Sequence, residues 1–211
     1  MKWFKLALFP LCLVPLALLA VDGYRDTLGA NPIEVITHST GTWTLVFLLI
    51  TLGITPLRRI TGVNALIKLR RMLGLFAFFY VCLHFVTYFW LDQFFDWPAI
   101  VKDVIKRPFI TVGFTSFMLL LPLALTSTNA MIKRLGGRRW QLLHRLVYVI
   151  AIGGVVHYLW LVKKDLTQPL IYAAVLGLLL GYRIIHRWRS SAVRAKPSLK
   201  PSPLSPQATQ A

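Results

Sequence analysis

Six apolar stretches, at about residues 3–22, 41–57, 72–92, 109–126, 142–162 and 169–187, each have the roughly 17–25 residues needed to cross a bilayer core as a helix. No stretch between them is long enough for a soluble domain. The expected fold is therefore all-α: a polytopic membrane bundle of six transmembrane helices over residues 1–187. Composition agrees, with 56% hydrophobic residues and a mean hydropathy of +0.63, against about 45–50% apolar usage in soluble domains. The segment 188–211 is rich in Pro, Ser and Lys and reads as a disordered tail.

Lys2 and Lys5 precede the first span, and Leu18-Leu19-Ala20 resembles a cleavage site for a signal peptide. Removing that span would upset the charge pattern of the remaining five, so it reads as a retained helix. Assigning alternate loops to opposite sides puts 17 of the 24 Lys and Arg residues on one side, Arg58, Arg59, Lys68, Arg70 and Arg71 among them. All seven acids, Asp22, Asp26, Glu34, Asp92, Asp96, Asp103 and Asp165, fall on the other. The positive-inside rule then places both termini in the cytoplasm. A formal charge of +17 needs no nucleic acid; positive-inside bias and anionic membrane lipids account for it, and no stacking aromatics interleave the basic clusters. Trp43, Trp97, Trp140 and Trp160 suit an interfacial belt, and Cys12 and Cys82 read as free buried thiols.

Five histidines remain to be placed. His38 lies at the outer edge of span two, where its Ser/Thr-rich neighbourhood suits a helix cap, and His186 lies at the inner end of span six. His84, His144 and His157 sit inside spans, where an ionisable group is costly and marks a functional candidate. His157 follows His144 by thirteen residues, and His84 follows Arg71 by thirteen. Spans three and five run in the same direction, so His84 and His157 share one depth in the outer leaflet. Two imidazoles facing across a gap suit the axial positions of a haem iron. Gly153 and Gly154 precede His157 by one turn, leaving a flat surface for a macrocycle or for close helix packing. A structural hydrogen-bonded pair and a metal relay are the alternatives.

The inner level is less complete. His144 is about 20 Å from His157 along a helix axis, a suitable depth for a second haem. Its counterpart on span three is arginine, Arg70 or Arg71. Thirteen residues also rotate a straight helix to roughly 140° from the same face, so tilt, a π-bulge at the glycines or a rotated second haem is required.

TPLRR (55–59), RRMLGL (70–75), LHFVTY (83–88), RPFITVG (107–113), ALTSTNAM (124–131), WQLLHRLVYV (140–149) and HYLW (157–160) together resemble the MsrQ (YedZ) family of the ferric-reductase-like transmembrane group. The resemblance covers about residues 30–185. It implies a haem b subunit of the bacterial inner membrane that carries electrons from the quinone pool to a periplasmic molybdopterin methionine sulfoxide reductase, MsrP. That traffic would support repair of oxidised periplasmic proteins, and FMN is attributed to the family as well. Carried onto this chain, His84 and His157 are implied as axial ligands and His144 as part of an inner site. Arg71 then has the role of holding haem propionates or a flavin phosphate, since guanidinium is a poor metal ligand.

Larger relatives continue into a nucleotide domain, whereas the segment after span six carries no glycine-rich dinucleotide loop. The expected electron donor is therefore quinol or a separate cytosolic flavin reductase. The outer loops are too short for a molybdenum or thiol active site, so electrons should leave to a docked partner. A ferric-chelate reductase-type cytochrome b is the nearest rival. A small histidine-relay transporter is the more distant one, because no acid lies at membrane depth.

Overall fold

In a computed structural model of the chain, residues 2–194 are described and all their regular structure is helical. The helices are α1 (Lys2–Tyr24), α2 (Pro32–Thr61), α3 (Arg70–Val86), α4 (Trp97–Lys106), α5 (Pro108–Leu125), α6 (Asn129–Leu135), α7 (Gly137–Leu143), α8 (Leu146–Leu161) and α9 (Thr167–Arg194). A 3₁₀ segment (Asn64–Leu69) leads into α3, and a π-turn (Thr87–Asp92) extends it. Six helical stretches are long and apolar enough to cross a membrane: Trp3–Tyr24, Pro32–Thr61, Asn64–Asp92, Pro108–Leu125, Gly137–Leu161 and Thr167–Arg189. The protein is a multi-pass membrane protein. The helix α9 runs through residue 194, into the stretch expected to be a tail, and the remainder of that stretch lies outside the described residues.

Helix α2 begins at Pro32, well before the expected 41, because Asn31 supplies an N-cap. Its Oδ1 accepts from the Glu34 backbone N–H at 3.3 Å, and Pro32 takes the first helical position, where no N–H is needed. The Glu34 carboxylate lies near the positive helix end and accepts from Asn31 Nδ2 at 2.9 Å. His38 therefore falls inside the helix. The hydroxyls of Thr37, Thr40 and Thr44 do not cap its start but donate to the carbonyls of Ile33, Ile36 and Thr40.

The first helix is pinned by one hydroxyl. Pro15 interrupts the α1 ladder, and beside it the Leu16 N–H donates to Tyr80 Oη (3.2 Å) while Tyr80 Oη donates to the Cys12 carbonyl (2.9 Å). The phenol thus ties α3 to the backbone of α1 at both residues 16 and 12. Tyr80 is 1% exposed and stacks on Phe47, whose ring also packs on Phe76.

The α2–α3 and α5–α8 pairs form the most extensive helix contacts. Close approach in the second pair is possible because Gly153 has no side chain: a β-carbon there would clash with Ser116 Oγ. After the π-turn, Phe94 and Phe95 adopt left-handed backbone (φ 47° and 62°), a costly conformation for bulky residues. Phe89 packs on Phe95 and on Trp97, with centroids 5.1 and 4.7 Å away, and holds that turn. The chain is thereby folded back into α4, which Asp96 caps through the Ala99 N–H.

Candidate functional site

The helices α3 and α8 pack mainly on α2 and α5 rather than on each other, and the space left between them is a cavity of about 630 Å³. That volume is typical of a site for a small molecule or cofactor. Its inner part is apolar, lined by Leu45, Leu48, Phe117, Leu120 and Ile150. His84 and His157 both line it, with ring centroids 6.2 Å apart and ring planes at 78°.

Each imidazole is seated the same way. His84 Nδ1 donates to the Thr37 carbonyl at 2.9 Å, and His157 Nδ1 donates to the Phe109 carbonyl at 2.6 Å. A carbonyl only accepts, so Nδ1 carries the proton in both rings and Nε2 keeps its lone pair. Neither Nε2 has a hydrogen bond among the described residues. One helical turn beyond each carbonyl lies a glycine: a β-carbon at Gly41 would be 3.0 Å from His84 Cε1, and one at Gly113 would be 2.7 Å from His157 Nδ1. The carbonyl fixes the ring and the glycine makes room for it.

Of the glycines expected to flank a macrocycle, Gly154 does line the cavity, whereas Gly153 faces Ser116 and serves helix packing. Gly41 and Gly113 could not be found by sequence spacing, because the histidines they accommodate lie on other helices.

His144 does not line this cavity. The chain breaks at His144–Arg145, between α7 and α8, so the rotation computed for one straight helix does not apply and no π-bulge forms at the glycines. Its Nδ1 donates to the Trp140 carbonyl at 3.0 Å, its ring stacks on Trp140 at 3.8 Å, and its Nε2 is 3.5 Å from Ser127 Oγ. Arg71 is exposed and donates through Nη1 to Asn129 Oδ1 at 2.7 Å. The arginine electrostatically closest to His144 is Arg70. Arg183 reaches inward instead, donating to the Leu52 carbonyl at 2.6 Å and lying over the Tyr148 ring. His38 is an exposed residue at the cavity mouth.

Residues 39–155 match the family described as ferric reductase like transmembrane component; the match includes Gly41 and His84 and ends two residues before His157. Relatives named protein-methionine-sulfoxide reductase heme-binding subunit MsrQ extend the likeness over nearly the whole chain. The one from Herminiimonas arsenicoxydans is 59% identical over 187 residues, 88% of this chain and 86% of the relative. This chain belongs to the MsrQ family. The MsrQ of Azospira oryzae is 59% identical over 88% of this chain and 80% of its own length, and that of Ralstonia nicotianae is 56% identical over 89% and 87%. No solved structure matches the chain. Within MsrQ, the relatives' shared name says that they bind haem, and the cavity between His84 and His157 is the place to test for it.

Proposed function

We propose that the protein is the haem-binding, electron-carrying subunit of a methionine sulfoxide reductase system, with one haem b held in the outer cavity by His84 and His157. The observation that carries this reading is the matched pair of imidazoles, each with Nδ1 spent on a backbone carbonyl and Nε2 free, 6.2 Å apart across an apolar space. Two metal–imidazole bonds of about 2 Å each, plus the half-width of each ring, come to a similar span. Carbonyl acceptance at Nδ1 is also the outer support that orients histidine ligands and raises their basicity. A bound haem supplies a one-electron ferric/ferrous couple. The chain's own part is to position the rings, keep water out with the apolar wall and set the couple through its axial nitrogens.

Electrons are proposed to enter from the quinone pool or a cytosolic flavin reductase and to leave to a periplasmic molybdopterin enzyme, MsrP. Both termini then lie in the cytoplasm of a bacterium whose inner membrane the domain 1–187 spans, with 188–211 as its tail. Positive-inside bias supports that orientation. An inner site at His144 would take a second haem or FMN, with Arg71, which donates to Asn129, proposed to hold a carboxylate or phosphate. Its support is the third instance of an Nδ1 donating to a carbonyl, at Trp140.

A reduced-minus-oxidised visible spectrum of the purified chain tests the proposal. Loss of the outer centre's b-type signal in both His84→Ala and His157→Ala is the expected result. A colourless wild type, or full pigment in either variant, would sink it.

A further inference from the structure

The tyrosine one turn outward from His84 presents an unexplained hydroxyl. Tyr88 lines the cavity, and its Oη is buried with no hydrogen-bond partner among the described residues. A buried polar atom left unpaired is costly enough to call for a ligand or water. Asp92, Asp103 and Arg107 are the charged groups within electrostatic reach of that hydroxyl, and the Asp103 carboxylate, short of good hydrogen-bond geometry, competes weakly for its proton. Arg107 also lines the cavity, and its side chain is 56% exposed. Its Nε donates to Asp103 Oδ1 at 3.2 Å, while its Nη groups have no partner among the described residues.

Resting on the haem reading of the cavity, we infer that Tyr88 and Arg107 form the outer clamp for the carboxylates of the bound porphyrin. A haem edge carries two propionates, and their orientation in the cavity follows from polarity. The inner wall of Leu48, Leu120 and Ile150 offers them no donor, and a carboxylate buried there unpaired would cost several kcal/mol. The α2 side of the mouth carries Glu34, which repels an anion. The opposite rim, where the π-turn after α3 meets the start of α5, carries Asp92 as well, but it alone offers a guanidinium, that of Arg107, the one arginine among the lining residues, beside the Tyr88 hydroxyl. Arg107 is placed for it by its position as the extended residue ahead of Pro108 at the start of α5. The same α5 supplies the Phe109 carbonyl two residues on, so one segment seats the His157 ring and addresses the far edge of the macrocycle. Asp103 holds the guanidinium by Nε and leaves the other edge of its fork for a carboxylate.

The test compares protohaem with its dimethyl ester, which has the same ring and iron but no carboxylates. Full-length wild type, Tyr88→Phe, Arg107→Gln and Asp103→Asn are each loaded with either pigment in detergent, and transfer to excess apomyoglobin is timed. With protohaem, Tyr88→Phe and Arg107→Gln are expected to release pigment about tenfold to a hundredfold faster than wild type, as loss of a charge-assisted hydrogen bond implies. With the dimethyl ester the same variants should match wild type. Asp103→Asn should hold protohaem at least as well as wild type; if the role of Arg107 were only its pair with Asp103, this variant would leak like Arg107→Gln. Tyr88→Phe removes one atom and keeps the ring, so it decides the matter if Arg107→Gln fails to fold. A pigmented wild type whose Tyr88→Phe and Arg107→Gln forms keep protohaem at its own rate overturns the clamp alone. So does equal acceleration with the ester. A wild type that takes up neither pigment overturns the haem reading and the clamp together.

Discussion

Gly113 lies so close to His157 that a β-carbon there would sit 2.7 Å from Nδ1, nearer than the ring can tolerate. The contact is against the polar atom that holds the ring to the Phe109 carbonyl. Gly113→Ala should therefore push the imidazole off that carbonyl, at a cost of about 1–3 kcal/mol from overpacking. Haem content of the purified variant should fall well below wild type. Gly53→Ala, where nothing lies within 4 Å, is the control and should leave pigment unchanged. Equal haem content in the two variants would show that the ring is not seated as described.

Near-perpendicular imidazole planes, 78° apart, make a spectroscopic prediction. Each ring is fixed by its own carbonyl on its own partner helix, so neither is free to turn parallel to the other. Ferric haem with such ligands should give the strongly anisotropic low-spin electron paramagnetic resonance signal of crossed imidazoles. A rhombic spectrum of the kind parallel imidazoles produce would mean that the rings rotate on binding.

His144→Ala addresses the inner level. The side chain is remote from the outer cavity, so the His84/His157 spectrum should be retained. Reduction of that centre by quinol should slow by an order of magnitude or about 1.4 kcal/mol of barrier, as loss of a relay implies. Stopped-flow kinetics read this directly. An unchanged rate and unchanged total pigment would assign the imidazole to packing against Trp140 and nothing more.

Tyr80→Phe tests the anchoring of α1. The hydroxyl accepts from Leu16 and donates to the buried Cys12 carbonyl, and without it α1 loses both of these bonds to α3. A loss of about 0.5–1.5 kcal/mol for each hydrogen bond removed is expected. It should appear as a lower thermal midpoint and as faster proteolysis near α1. A variant with wild-type stability would indicate that the helix closes its own ladder once the phenol is gone.

How much of this was legible in the sequence differs from residue to residue. Apolar run length found all six spans, and equal offsets from Arg71 and His144 brought His84 and His157 to one depth. Run length set the start of α2 too late, because its outer turns are Thr-rich and polar; only the Asn31-Pro32 cap marks where the helix begins. The offset rule also treated residues 142–162 as one straight rod, whereas the chain breaks at His144–Arg145. The seats at Gly41 and Gly113 and the idle hydroxyl of Tyr88 were invisible. The two glycines are defined by histidines more than 40 residues away, and the Tyr88 hydroxyl by a cavity between helices, whereas single-sequence periodicity reports only which face of a helix is apolar.

The two histidine seats are separated from their histidines by nearly the same length of chain, 47 residues from Thr37 to His84 and 48 from Phe109 to His157. Each half of the site is thus completed within one pair of consecutive spans, α2 with α3 and α5 with α8, before the other half is needed. During biosynthesis the first pair can leave the insertion machinery with its ligand already oriented, wait in the bilayer, and meet the second pair when that emerges. The cofactor would then act as the rivet between two prefabricated halves. If the cavity takes haem as proposed, maturation of the protein would become a docking event in the plane of the membrane, timed by when pigment becomes available.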